Sequence, residues 1–352
     1  MPSANIQPPS IEVLLAIDSR AEFDRVAMAL FAFQARECAP YRDYLALVGI
    51  DPASVCRSED IPFLPISFFR SHRVYCGAAE PELVFTSSGT GGSATSGSAS
   101  GRNTMGGDTP SRHYMAFAED YRAAFRRAFA LFYPGRHSIY ALLPGYLERE
   151  GSSLIYMVND LIKSMGGGFY LDNAVQMLDD MRRDAGPKIV LGVSYALWDL
   201  AERFGGGRLD GTHSEGVLFD DRTVVMETGG MKGKREELPR AEFHKSLCKA
   251  FGVSEIASEY GMAELTSQAY SSGGGVFRTP PWMRVSVRDL ADPFEMLGAG
   301  RSGGINIIDL ANRFSCAFIQ TDDLGRCAVD GSFEILGRID KSVIRGCNLL
   351  VQ

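Results

Sequence analysis

No lysine occurs before Lys163, and no run of about 18 apolar residues occurs anywhere in the 352-residue chain. The second absence excludes a membrane-spanning helix, so no stable membrane insertion is expected. The N-terminus "MPSANIQPPSIEVLLAIDSRAEF" also lacks the basic region and apolar run of a secretory signal, and the chain reads as cytoplasmic. Positive charge is in deficit, with 36 Lys and Arg against 43 Asp and Glu and a net charge of -7. That balance argues against a nucleic-acid surface, which needs a basic stripe to displace condensed counterions. An anionic ligand must then be held by local groups. The seven cysteines (Cys38, Cys56, Cys76, Cys248, Cys316, Cys327, Cys347) form no C-x-x-C pair, so neither a disulfide framework nor a zinc site is indicated.

What remains is the composition of a folded protein, 45% apolar and 22% charged, long enough for two domains or one with lobes. Residues 21 to 37 place Phe23, Val26, Leu30 and Phe33 on one helical face; residues 114 to 132 do the same with Phe117, Tyr121, Phe125, Phe129 and Phe132. Strand-like runs "IYALLPG" (139–145), "KIVLGV" (188–193), "TVVMETGG" (223–230) and "EIASEYG" (255–261) alternate with helical patterns near 153–165, 195–204 and 239–251. Such alternation predicts an α/β fold with a substantially parallel sheet between helices. The last third differs. "MRVSVRDL", "GINIIDLA", "CAFIQTDDLG" and "SFEILGRID" follow one another with little helix between them, predicting an antiparallel, β-rich lobe. The expected division is an α/β core over 1–280 and a β-rich lobe over 281–352.

One stretch is out of keeping with the rest. From Thr86 to Pro110, 18 of 25 residues are Gly, Ser or Thr, which reads as a mobile connector. Its head, Thr86-Ser87-Ser88-Gly89-Thr90-Gly91-Gly92, follows the strand-like Leu83-Val84-Phe85 and offers hydroxyls and small-residue amides together, a turn able to point several donors at one anion. Three further polar clusters stand near strand ends, where α/β folds place ligands. They are Ser258-Glu259-Tyr260-Gly261-Met262-Ala263-Glu264, Thr321-Asp322-Asp323-Leu324-Gly325 and Gly337-Arg338-Ile339-Asp340. Taken singly, each is explained as a turn, a solvated loop tip or a surface ion pair.

Their order carries more. A Ser/Thr/Gly loop, then Y-G-x-x-E, T-x-D and G-R-x-D, resembles the motif series of the adenylate-forming ligases. "FLPISFFRSH", "FTSSGT", "SRHY", "METGGMKGKREELPR", "SEYGMAELTSQAY", "PPWMRVSVRD", "GGINIIDLAN" and "GRIDKSVIRGCNLLV" resemble, more closely, the acyl-protein synthetase family of the luminescence fatty-acid reductase system. The likeness runs from about residue 20 to the end. It implies the large-domain fold of adenylate-forming enzymes, mixed sheets flanked by helices with a β-rich C-terminal lobe and no small C-terminal lid domain, since only 12 residues follow Asp340. It implies ATP and Mg2+ as cofactors and a carboxylic acid substrate, fatty or otherwise apolar, activated as acyl-AMP. Thr86, Ser87, Ser88, Gly89, Thr90 and Gly91 would hold the departing phosphates, with Thr90 among the catalytic groups. Glu264 would ligate Mg2+, Asp323 would accept the ribose hydroxyls, Arg338 would reach ribose and phosphate, and Tyr260 with Gly261 would flank adenine. Cys347 would take the acyl group as a thioester, its thiolate favoured by Arg345, and pass it to an acyl-accepting partner protein such as a reductase or carrier.

Two features depart from the pattern. Gly91-Gly92-Ser93-Ala94 stands where larger relatives carry a lysine, with Lys232 and Lys234 as candidate substitutes, and residues 93–109 read as a flexible insertion. Two alternatives stay open. Gly192-Val193-Ser194-Tyr195-Ala196 is nearly the G-x-S-x-G elbow of a serine acyl hydrolase, with His213 or His244 as base. A catalytically silent nucleotide-binding scaffold is the other. No G-x-x-x-x-G-K-[ST] loop occurs. Phe68, Phe69, Tyr146 and Trp282 suit either an apolar acid tail or an ordinary core.

Overall fold

The computed structural model describes residues 7–87, 109–144, 151–205, 218–229 and 238–339. A six-stranded sheet runs in the order Gly167–Phe169, Ser138–Leu142, Lys188–Val193, Thr223–Thr228, Ala257–Tyr260, Ala269–Ser271. All its neighbours pair in parallel except the last two. The strand Lys188–Val193 is buried along its whole length, as a central parallel strand covered on both faces must be. Even Lys188 is inside, its ammonium donating to the Gly186 carbonyl at 2.9 Å beside the Asp220 carboxylate.

Helices cover both faces. Ala118–Phe132 and Ser153–Met165 pack together, and Ser194–Phe204 and Arg240–Phe251 pair with each other. Strand alternation assigns each pair to a face. Glu227 meets Ser258, Ser194 and His244 on one side, whereas Tyr270 meets Phe129 on the other. Three of the helical patterns, near 153–165, 195–204 and 239–251, form as the periodicity predicts, within a residue at either end.

The pattern over 114–132 does not. Its helix begins at Ala118, while Arg112–Met115 is a strand paired antiparallel with Leu83–Thr86. The aromatic spacing continues past the point where the backbone finds strand partners, and Phe117 ends 47% exposed at the N-cap instead of in the buried stripe. The helix starts where Glu119 and Asp120 set acidic side chains against its positive end.

The last third is antiparallel, as its closely spaced strands predict. The strand order is Val276–Phe277, Phe333–Arg338, Phe318–Cys327, Ser302–Asp309, Met283–Arg288, Met296–Leu297, with the short Leu64–Pro65 parallel to Phe318–Cys327. Gly304 makes room for buried Arg288: a Cβ there would stand 2.4 Å from the guanidinium carbon. Arg288 donates to the Ile305 and Thr321 carbonyls and to Asn306, and burial pulls its pKa down to about 10. The N-terminal helices Arg20–Glu37 and Ala39–Leu47 close over this sheet through Phe31 and Tyr41, both ringed against Phe318. Most buried apolar residues from Ile11 to Ile319 form one core, and Ala269, Phe277 and Phe333 form a small second cluster beneath Tyr260. Among the described residues, no helix is long and apolar enough to cross a membrane.

Candidate active site

The strand Ala257–Tyr260 ends pointing at the second sheet. Tyr260 donates its hydroxyl to Asp323 Oδ2 at 2.7 Å, and Arg338 Nε lies 3.4 Å from Asp323 Oδ1. Register explains the second contact, because Asp323 and Arg338 face each other across the antiparallel pair Phe318–Cys327 and Phe333–Arg338. Burial raises the Asp323 pKa, opposed by the Tyr260 hydrogen bond and the charge of Arg338. Burial likewise lifts the Tyr260 phenol well above its usual range, and the Asp323 charge adds to it. The Tyr260 ring packs on Phe277 and Phe333, with centroids 5.8 and 5.5 Å away.

A second convergence joins the head of the Ser/Thr/Gly loop to Glu264. Thr86 donates its backbone N–H to the Gly151 carbonyl at 2.8 Å. Ser87 and Ser111 bond reciprocally, Ser87 N to Ser111 O at 3.1 Å and Ser111 N to Ser87 Oγ at 2.9 Å. Burial raises the pKa of Glu264; a hydrogen bond from the Ser111 side chain and the charges of Arg70 and Arg338 pull the other way. The Glu264 turn is tied down from two more sides. His113 Nδ1 meets the Ala263 carbonyl at 2.9 Å, and Asn312 donates to the Glu264 carbonyl at 2.9 Å. The hairpin that leads into the loop is therefore fastened to the turn that carries Glu264.

Of the residues singled out in the sequence, Thr86, Ser87, Tyr260, Gly261, Glu264, Asp323 and Arg338 are described, and Arg338 touches both Asp323 and, electrostatically, Glu264. Ser88, Gly89, Thr90, Gly91 and Cys347 lie outside the described residues, as do Tyr146, His213, Lys232, Lys234 and Asp340. Phe69 and Trp282 are core residues, 1% and 0% exposed, and Phe68 packs on Tyr44 and His72.

The elbow-like Ser194 is a different matter. Its hydroxyl donates to Glu227 Oε2 at 3.1 Å and also to the Gly229 carbonyl, while His244 sits across the same carboxylate, 3.1 Å from Oε1. Ser194 is 4% exposed and has no contact with that imidazole, so the Ser194–His244 pairing of a hydrolase is absent. Glu227 is the residue that sequence reasoning missed. It also accepts from Ser258 at 3.1 Å and faces Arg240 Nε at 3.2 Å. Burial would raise its pKa, but the His244 bond, the Arg240 charge and the hydroxyls outweigh that and hold it below the usual value. The available signal was a carboxylate directly after the apolar run 224–226 of the strand Thr223–Thr228.

No cluster of three or more His, Cys, Asp or Glu side chains able to hold a metal occurs among the described residues. Mg2+ needs no such cage when it arrives with a nucleotide, because phosphate oxygens and water fill most of its octahedron and one or two carboxylates suffice. Glu264, a buried hard-oxygen donor steadied by Ser111, fits that role.

Residues 154–352 match the family model described as Acyl-protein synthetase, LuxE. No curated protein matches the chain. Among solved structures, an open conformation of 2-hydroxyisobutyryl-CoA ligase in complex with 2-HIB-AMP and CoA is similar at TM-score 0.63 and 15% identity, over 93% of this chain and 77% of that one. The postadenylation state of that ligase with 2-HIB-AMP gives TM-score 0.62 at 15% identity, over 93% and 70%. ATP-bound MatB from Rhodopseudomonas palustris gives TM-score 0.50 at 15% identity, over 74% of this chain and 49% of that one, so the chain spans about half the length of such structures. At this identity the likeness is one of fold.

Proposed function

The chain belongs to the LuxE acyl-protein synthetase family, within the adenylate-forming ligases, and on that premise we propose that it activates a carboxylic acid with ATP and passes the acyl group to a thiol. In the first step a carboxylate oxygen attacks the α-phosphorus of ATP, the bond to the bridging β-oxygen breaks, and pyrophosphate leaves. The product is an acyl-AMP whose leaving group is far better than oxide. Little covalent chemistry falls to the protein, whose work is to orient the in-line attack and to meet phosphate charge.

The observation that carries this reading is the convergence of Tyr260, Asp323 and Arg338 beside the Glu264 turn. Asp323 would accept from the ribose hydroxyls, exchanging its bond with Tyr260 for bonds to the nucleotide. Tyr260 and Gly261 would lie along adenine, and Arg338, 72% exposed on its side chain, is free to follow the ribose and phosphate. Thr86 through Gly91 would hold the β- and γ-phosphates. Mg2+ bound with the nucleotide would neutralise phosphate oxygens, with Glu264 as its protein ligand.

In the second step a thiolate attacks the acyl carbonyl and AMP leaves. Cys347 is the proposed acceptor by family likeness, with a partner protein as the onward recipient and the cytoplasm as the setting. Acid-dependent exchange of labelled pyrophosphate into ATP tests the first step. A hydroxylamine-sensitive label on the Cys347 peptide, lost in Cys347→Ser, tests the second. Exchange without retained label would leave adenylation standing and move the acceptor elsewhere.

A further inference from the structure

We propose that, behind Gly261, the sheet face covered by Ala118–Phe132 and Ser153–Met165 is a polar subsite for the tail of the substrate acid, and that it selects an acid bearing a hydroxyl group. The inference rests on the adenylation reading for its ligand and on separate residues for its geometry. Tyr260 turns toward Asp323, so Glu259, next to it in the strand, turns to the opposite face. There it accepts from the Thr228 hydroxyl at 2.6 Å. Gln268 and Tyr270 share that face, Tyr270 directly across from Glu259 in the strand pairing.

These groups are poorly satisfied. Gln268 is 4% exposed; its Oε1 has no hydrogen-bond partner, and its Nε2 reaches only the Tyr121 hydroxyl at the long distance of 3.5 Å. The Tyr270 hydroxyl meets the Met157 sulfur at 3.9 Å, a weak acceptor. Burial raises Glu259 to about 7, opposed by the Thr228 bond, so near neutrality its carboxyl is in large part a donor. Folded proteins rarely bury an orphaned amide oxygen beside a protonated acid, and such a pair calls for a partner.

Its position links the pair to the reaction. A Cβ on Gly261 would stand 2.5 Å from Glu259 Oε1 and 3.5 Å from Gln268 Cγ, so acid and amide flank the glycine that follows Tyr260. On the far side Phe85, Tyr121 and Tyr156 form an aromatic wall with centroids 4.9 to 5.8 Å apart. Phe85 immediately precedes Thr86, where the loop begins. An acid whose carboxylate sits between residues 86–87 and the Tyr260–Glu264 turn thus has Glu259 and Gln268 beside its tail. A hydroxyl is the group that fits both, donating to Gln268 Oε1 while accepting from Glu259 or Tyr270. An alkyl tail would leave the amide oxygen unpaired, and a second carboxylate would meet no cation there among the described residues.

Equilibrium dialysis of radiolabelled acids tests this, using pairs on one straight-chain or aryl skeleton with and without a hydroxyl at successive carbons. Pyrophosphate exchange is run on the same pairs. The hydroxylated member of at least one pair should bind about 10- to 100-fold more tightly. Gln268→Leu should shrink that preference to within about threefold without weakening the unsubstituted acid, since the lost term is one hydrogen bond. Glu259→Gln, whose amide still donates, should keep it, and Gln268→Met serves if the leucine variant does not fold. Equal binding across all pairs, or a preference untouched in the Gln268 variants, would overturn the subsite and return its polar groups to trapped water. A hydroxyl preference in dialysis with no exchange from any acid would instead overturn adenylation and leave the subsite standing.

Discussion

Glu227 and Glu259 sit on adjacent parallel strands, one position apart in register, and both are buried, yet their ionisation is pushed in opposite directions. Glu227, on the face covered by Ser194–Phe204 and Arg240–Phe251, is ringed by two hydroxyls, an imidazole and a guanidinium and stays ionised. Glu259, on the other face, is held by the Thr228 hydroxyl and rises to about 7. Desolvation acts on both. The partners decide which charge state survives, and with it what the face can do. A fully partnered carboxylate locks two helices and a strand together; a carboxyl held by one hydroxyl keeps a proton to offer.

Removing the anchor should have the largest effect. Glu227→Ala strands Arg240 and buried His244 without their carboxylate and should cost about 3 to 5 kcal/mol in chemical denaturation. A loss under about 1 kcal/mol would mean that water satisfies the group and that the contrast between the faces is one of packing. The opposite face should reveal itself through pH. Well below 4.5, both folded and unfolded chains hold the Glu259 proton. Between 4.5 and about 7 only the unfolded chain releases it, so stability falls as pH rises, and above 7 this slope ends. Glu259→Gln should abolish a loss on the order of 3 kcal/mol across that window. An unchanged pH profile would place the Glu259 proton elsewhere. Arg338→Ala should be the mildest, changing stability by less than about 1 kcal/mol because the side chain is largely solvated, while still weakening ATP in exchange kinetics. Equal losses in both would make its pairing with Asp323 structural.

Legibility in the amino-acid sequence separates the motif residues from both buried carboxylates. Tyr260, Glu264, Asp323 and Arg338 stand in short motifs whose order along the chain resembles the adenylate-forming series, and it is that resemblance, not their spacing, that foretells their meeting. Strand Lys188–Val193 is legible as a short, largely apolar run buried on both faces, and helix Ser153–Met165 by the period that one-sided burial imprints. The hairpin strand Arg112–Met115 is not, since the aromatic repeat beyond it runs into the same residues and only pairing with Leu83–Thr86 distinguishes them. Glu227 and Glu259 escape because a carboxylate near a strand end looks the same in sequence whether it meets solvent or a buried imidazole or hydroxyl. Their partners come from residues as distant as Ser194, Thr228, Arg240 and His244, and only the fold brings these together.

Whether acyl adenylate forms where Asp323 and Glu264 converge is read by acid-dependent pyrophosphate exchange in the wild type and in Glu264→Gln and Asp323→Ala. Exchange is expected in the wild type, none above background in Glu264→Gln despite an intact fold, and in Asp323→Ala a KM for ATP raised about 10- to 100-fold, the loss of charge-assisted hydrogen bonds worth about 1.5 to 3 kcal/mol. Wild-type exchange in both variants would contradict adenylation at that site.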